Sequence, residues 1–217
     1  MITLLGVGHV FNLGPRIREE ILKRRPALVC IELDPARLRA LRDGRTRARA
    51  PTLYNLLALF QKRIAEQYGA DVGEEMLAAY DAALEEHVPI ALIDVDSLVT
   101  WKRLWSSMRP MEILKLVVSG IGSLFVGRSR IEAELNRYRE DYAGFIRDLE
   151  RDYPSVKRVL VDERNEYMAS RLKELHRRSG NIVCVVGDGH IEGLGRLLET
   201  EDLEVVRLWD LRPGNLQ

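Results

Sequence analysis

Cysteine is almost missing from this sequence. The 217 residues contain two, Cys30 and Cys184, each inside an apolar run, Leu28-Val29-Cys30-Ile31 and Ile182-Val183-Cys184-Val185-Val186. Buried reduced thiols are the expected state, which favours the cytoplasm over a secreted disulfide scaffold and excludes a Cys-x-x-Cys zinc site. Excess charge is missing too. With 33 basic and 33 acidic residues, the chain has no general pull toward nucleic acid or anionic lipid, and no nucleic-acid partner is expected. No basic segment followed by a long apolar run opens the chain, so no signal peptide is expected. The most membrane-like stretch, residues 116–126, is too short to span a bilayer and contains Ser119, Gly120, Gly122 and Ser123. It could be a buried helix, a homodimer face or a surface anchor, but not a transmembrane segment. The glycines form no Gly-x-Gly-x-x-Gly fingerprint and no Walker lysine follows them, which leaves nucleotide binding the weakest functional class.

What the chain does have is a near-repeat. Leu4-Leu5-Gly6-Val7-Gly8-His9-Val10 at the start and Val185-Val186-Gly187-Asp188-Gly189-His190-Ile191 near the end share one pattern, each closing in Leu-Gly a few residues on. In each copy an apolar run suited to a buried strand leads to a glycine-flanked histidine and then a helix-like segment. The glycines are expected to permit a sharp turn and to leave space beside the imidazole for a metal, water or substrate. A single such histidine is more often a satisfied structural residue; two at matching points are a stronger signal.

Between the copies, strand-like and helix-like segments alternate. Pro15, Ile17, Ile21 and Leu22 suit an amphipathic helix ending in Lys23-Arg24-Arg25, with Pro26 as its stop. Strands are expected over 27–33, 89–93, 181–186 and 203–208. Asp34-Pro35 is a good cap and first-turn pair. The following arginines, Arg37 to Arg49, could grip a phosphate or an acidic partner, but a solvated basic helix and loop is the simpler reading because no aromatic residues are interleaved. Helices are expected over 52–68 and 72–87, and His87 and His176 read as structural or solvated. Trp101 and Trp105 stand at i,i+4 and read as core or interface anchors. A helical insertion at about 97–153, including a long helix over 131–149, interrupts the strand pattern of what otherwise reads as a single domain over 1–217.

Alternating strands and helices imply an α/β fold with a largely parallel central sheet and flanking helices. Ligands in such folds bind outside the carboxyl ends of the strands. Here those ends carry His9, Glu32, Asp94 and His190. Two imidazoles with one or two carboxylates suit a divalent metal and leave room for water. The alternative has the carboxylates as helix caps and the histidines bonded to loop backbone.

These residues resemble the TraB/PrgY family, within the wider TIKI, erythromycin-esterase and ChaN-like superfamily. The ordered motifs are Gly6-Val7-Gly8-His9, Glu32-Leu33-Asp34, Ala91-Leu92-Ile93-Asp94 followed by residues 100–105, Glu163-Arg164-Asn165-Glu166-Tyr167-Met168-Ala169, and Gly187-Asp188-Gly189-His190. The resemblance implies a metal-dependent hydrolase site of His9, His190, Glu32 and Arg164, with manganese or cobalt favoured and zinc or iron as alternatives. TIKI relatives are metal-dependent proteases, erythromycin-esterase relatives open a lactone, ChaN-like relatives bind haem, and PrgY-like members are linked to pheromone shutdown. A peptide or small-molecule substrate is therefore expected, with metal on His9, Glu32 and His190. Glu32 would be a ligand or the general base, and Arg164 would stabilise an oxyanion. Asn165 would orient substrate or Arg164, unless Glu163, Arg164 and Asn165 merely start a helix and make surface ion pairs. The alternative function is a non-catalytic module that sequesters peptide, metal or haem. Val95 stands where the family often has arginine, which leaves the partner of Asp94 open. Asp188 replaces a small residue and would add a ligand or cap a helix. Many family members continue into membrane segments, so this chain is expected to be a soluble short form or the soluble part of an anchored protein.

Overall fold

The computed structural model describes residues 1–8, 13–43, 73–115, 142–200 and 202–211, with side chains omitted at 142, 143 and 145. Its centre is a five-stranded parallel sheet in the order β3-β2-β4-β1-β5. The strands are β1 (Ile2–Val7), β2 (Leu28–Ile31), β3 (Ile90–Leu92), β4 (Ile182–Gly187) and β5 (Leu203–Val206). β4, the last but one in sequence, lies between β1 and β2, so the two glycine-histidine motifs leave neighbouring strands: Val7 pairs with Gly187. The α/β parallel fold expected from the sequence is the one observed.

β1 and β2 are buried throughout because a parallel sheet is covered on both faces. Alternate residues divide between two cores. Leu5, Val7, Val29, Ile31, Val183 and Val185 pack with α1 (Gly14–Arg24) and α3 (Glu74–Glu85). Ile2, Leu4, Cys30, Ile182, Cys184 and Val186 pack on the other face with α7 (Glu163–Ser179) and α8 (Asp188–Leu198). Full burial of Met168 and Leu172 on α7 stabilises this layer by about 1.5–3 kcal/mol each.

Most helix ends follow the sequence signals. Pro15 starts α1, Lys23 and Arg24 close it, and Arg25 in the left-handed region precedes Pro26. Asp34 caps α2 (Pro35–Arg42), accepting from the N–H groups of Ala36 and Arg37. Three strands, β2, β3 and β5, are shorter than expected. β2 stops at Ile31, where Leu33 N–H turns back to the Ile31 carbonyl. β5 stops at Val206 because Leu208 N–H is taken by Asp188, and α9 (Leu208–Leu211) begins there instead of a strand end.

One helical run spans α6 (Pro154–Lys157), a π turn (Arg158–Asp162) and α7. The π turn was not anticipated, since an extra residue in a turn leaves no sequence period; such turns are frequent at functional sites. Before and within it, Val156, Val159 and Leu160 pack with Trp101, Leu104 and Met108 of the α4 region (Ser97–Ser107), which confirms Trp101 as a packing residue. After it, Met168, Ala169 and Leu172 face the sheet. Of the expected insertion, α4, residues 110–115 and α5 (Tyr142–Asp152) are described. The expected helix over 52–68, the apolar stretch 116–126 and the earlier part of the 131–149 helix lie outside the described residues. No described helix is long and apolar enough to cross a membrane.

Candidate active site at the carboxyl edge of the sheet

Glu32 follows the last residue of β2 and passes to the face covered by α7 and α8. Its backbone N–H bonds the Val185 carbonyl, so the strand ladder fixes where the side chain starts. One carboxylate oxygen, Oε2, accepts from Gly187 N–H at 2.6 Å. The other, Oε1, accepts from Arg164 Nη2 and lies 3.4 Å from His190 Nε2. Burial alone would raise this carboxyl's pKa. His190, Arg164 and the Gly187 N–H outweigh it and hold the group well below the usual carboxylate range.

Arg164 stands on the first turn of α7, just past the π turn. Its Nε and Nη2 meet both oxygens of Asp94, at 2.9 and 2.8 Å, in a fork-to-fork pair. Nη1 donates to the Leu160 carbonyl at 3.2 Å, inside the π turn. Burial works against the guanidinium's charge, but Glu32 and Asp94 more than restore it, and its pKa is raised. This settles the partner of Asp94: with Val95 after it, the carboxylate is held by Arg164 and by Arg37 Nη1 at 3.1 Å.

His190 is not a loop residue as expected from its glycine flanks. α8 starts at Asp188, so the imidazole projects from its first turn. Nδ1 lies 2.7 Å from Asn165 Oδ1, and both residues are buried. With the amide oxygen accepting, Nδ1 donates, and Nε2 is the ring nitrogen left facing Glu32. Asn165 thus orients the histidine rather than Arg164. It can do so because Gly193 has no side chain: a Cβ there would stand 2.2 Å from Asn165 Nδ2.

The glycines of the first motif act by close packing. A Cβ on Gly6 would stand 2.5 Å from Asp188 Oδ1, and one on Gly8 would stand 2.9 Å from Leu208 Cδ2. Neither glycine has positive φ. The space left by their missing side chains is filled by Asp188 of the second motif and by Leu208 after β5. Asp188 itself turns away from Glu32: its oxygens receive Arg207 Nε and Nη2 at 2.8 and 2.6 Å, and Leu208 N–H at 2.9 Å.

Among the expected site residues, Glu32, Asp94, Arg164, Asn165 and His190 come together, Asp188 lies to one side, and His9 falls outside the described residues. Glu163 makes the surface pairs envisaged for it, with Arg103 and Arg158, whereas Arg164 and Asn165 do not. Sequence reasoning read Arg37 as part of a solvated basic face and passed over Arg207. Arg37 had a usable signal, its place on the first turn of a helix that leaves the carboxyl end of β2.

The described donors can be tested against a divalent ion. Tetrahedral ligand distances of roughly 2.0–2.2 Å separate neighbouring donors by about 3.3–3.5 Å. The 3.4 Å between His190 Nε2 and Glu32 Oε1 agrees with that spacing and is long for a hydrogen bond. A histidine whose other nitrogen is tied to a carbonyl oxygen is the usual arrangement of a metal ligand. Among the described residues no three His, Cys, Asp or Glu side chains form a metal-sized group; His190 and Glu32 would supply two donors of such a site.

Comparison with known proteins gives two findings. A family model described as the TraB/PrgY/gumN family matches residues 1–207. An uncharacterized protein of Methanocaldococcus jannaschii is 32% identical over 213 residues, an alignment covering 91% of this chain and 53% of that protein. The chain thus spans about half the length of the curated relative it matches.

Proposed function

The chain belongs to the TraB/PrgY/gumN family, and from that premise we propose that it is a metal-dependent hydrolase acting on peptides. The observation that carries the proposal is His190 Nε2 facing Glu32 Oε1 at 3.4 Å while Nδ1 is committed to Asn165. His190 and Glu32 would hold the ion, manganese or cobalt in first place, with His9 as the third ligand. Such an ion, when bound, polarises water and the carbonyl under attack.

The chain's own groups divide the remaining work. Glu32 is a ligand in this reading rather than the general base, because a carboxylate kept well below its usual range is a poor base at neutral pH. Arg164 keeps Glu32 and Asp94 ionised and in place. Its donors are mostly committed to those carboxylates and to Leu160, so its main role is positioning rather than the oxyanion contact expected from the sequence. Asn165 fixes the histidine tautomer.

Metal titration of the purified protein tests this. Wild type is expected to take up one equivalent of manganese or cobalt. His190→Ala and His9→Ala, still folded, should each lose stoichiometric binding and the metal-dependent peptide cleavage expected of wild type. A folded wild type that binds none of manganese, cobalt, zinc or iron would overturn the proposal.

A further inference from the structure

Among the described residues at this edge, Arg37 is a charged group that its neighbours engage only in part. Asp94 needs no second cation, since Arg164 already engages both of its oxygens and Val95 N–H adds a third bond at 2.8 Å. Arg37 nevertheless reaches it with Nη1. Its side chain is 38% exposed where that of Asp94 is 3%. Nε and Nη2 bond no described residue, leaving one edge of the guanidinium turned outward. The backbone beneath is fixed, because Arg37 N–H is held by Asp34, which also accepts from Ser97 N–H at 3.3 Å and ties the starts of α2 and α4 together. Farther along the arginine run, Arg42 lies instead over the Tyr80 ring at 5.4 Å.

We infer that Arg37 is the receptor for a carboxylate on the substrate, so that the site takes short peptides or N-acyl amino acids by their free carboxyl end. The inference rests on the hydrolase reading for its substrate class. A planar guanidinium with a free edge matches a carboxylate in two parallel hydrogen bonds. A phosphate would call on further donors, and among the described residues the first N–H groups of α2 are already taken by Asp34. The contacts run from Arg37 through Asp94 and Arg164 to Glu32 and His190. A carboxylate seated on Arg37 would therefore stand beside the reacting centre without occupying it.

The test is binding of N-benzoylglycine and of its amide to protein freed of metal by chelation, so that the carboxylate cannot bind through an ion. Calorimetry should give at least about tenfold tighter binding of the acid by wild type. Arg37→Met should erase that difference, and Arg37→Lys should keep part of it. Asp94 retains Arg164 in both variants, and thermal unfolding checks that they fold. Equal binding of acid and amide, no binding of either, or discrimination that survives Arg37→Met would overturn the inference. A metal titration of the same samples separates the two proposals. Discrimination without metal uptake removes the hydrolase and leaves the carboxylate receptor; metal uptake without discrimination does the reverse.

Discussion

Cys30 and Glu32 are two residues apart on the path of β2, on the same side of the sheet, and burial treats them alike while their neighbours do not. Cys30 pairs in register with Cys184 of β4 among apolar side chains. There burial dominates: it pushes the Cys30 thiol up to about 12, only partly offset by Arg171, and pushes Cys184 up as well. At Glu32 burial pushes in the same direction and loses to His190, Arg164 and Gly187 N–H. One step along the chain therefore separates a neutral interior from a charged site. What makes the difference is the pair of helix starts, α7 and α8, that deliver the partners.

The strongest way to break the comparison is to remove the cation. Arg164→Met leaves Glu32 and Asp94 buried with much of their compensation gone, and a cost of about 3–5 kcal/mol in denaturant unfolding of metal-free protein is expected. The acid limb should change with it. Because Glu32 is held lower in the folded chain than in the unfolded one, its contribution is complete above the ordinary carboxylate range, about pH 4–5, and fades as pH falls toward the folded value. Wild type should lose stability along that limb, and Arg164→Met should lose less. Equal acid slopes would mean that Arg164 does not set the charge state of Glu32.

The parts of this contrast differ in how far they could be read from sequence. Glu32, Asp94 and the second glycine-histidine motif were legible because an apolar run, its end and the helix after it are local patterns. Arg164 and Asn165 were legible only through the family motif, since the sequence alone allowed surface ion pairs. The π turn before Arg164 adds one residue to a helix and disturbs no pattern. Arg37 was hidden in a run that looks solvated, because the reach of a long side chain to Asp94 depends on how β2 and β3 pair. The close packing at Gly6 and Gly8 left no local signal, because their neighbours Asp188 and Leu208 come from the far end of the chain.

The thiols sharpen the other half of the comparison. A thiol whose folded pKa is raised contributes nothing adverse below the unfolded thiol's ordinary value, about 8.5, and destabilises the fold as pH rises from there toward its folded value. For Cys30 this is about 2 kcal/mol at pH 10. Stability of the Cys30→Ala, Cys184→Ala double variant should therefore fall less steeply than that of wild type between pH 8 and pH 10. Both native thiols should also resist alkylation at neutral pH until the protein unfolds. Fast alkylation of the folded protein would show that the interior beside Glu32 opens to water.

The smallest expected effect on stability separates charge from orientation within the site. Asn165→Ala removes no charge, leaves Arg164 on both carboxylates, and opens a gap between α7 and α8 where Gly193 now makes room for the amide. The direct loss is one hydrogen bond to His190, about 1 kcal/mol, and water entering the gap can replace it. Metal affinity should respond more than stability does, falling about 10–100-fold, because the imidazole then loses the partner that selects its tautomer and aims Nε2 at the space beside Glu32. Titration and unfolding of the same variant read the two quantities separately. If stability falls as far as in Arg164→Met, the edge is held by the packing of α7 on α8 and the charges are secondary. If only affinity falls, the helix starts do two distinct things: Arg164 keeps a buried carboxylate ionised, and Asn165 turns a buried histidine to face it.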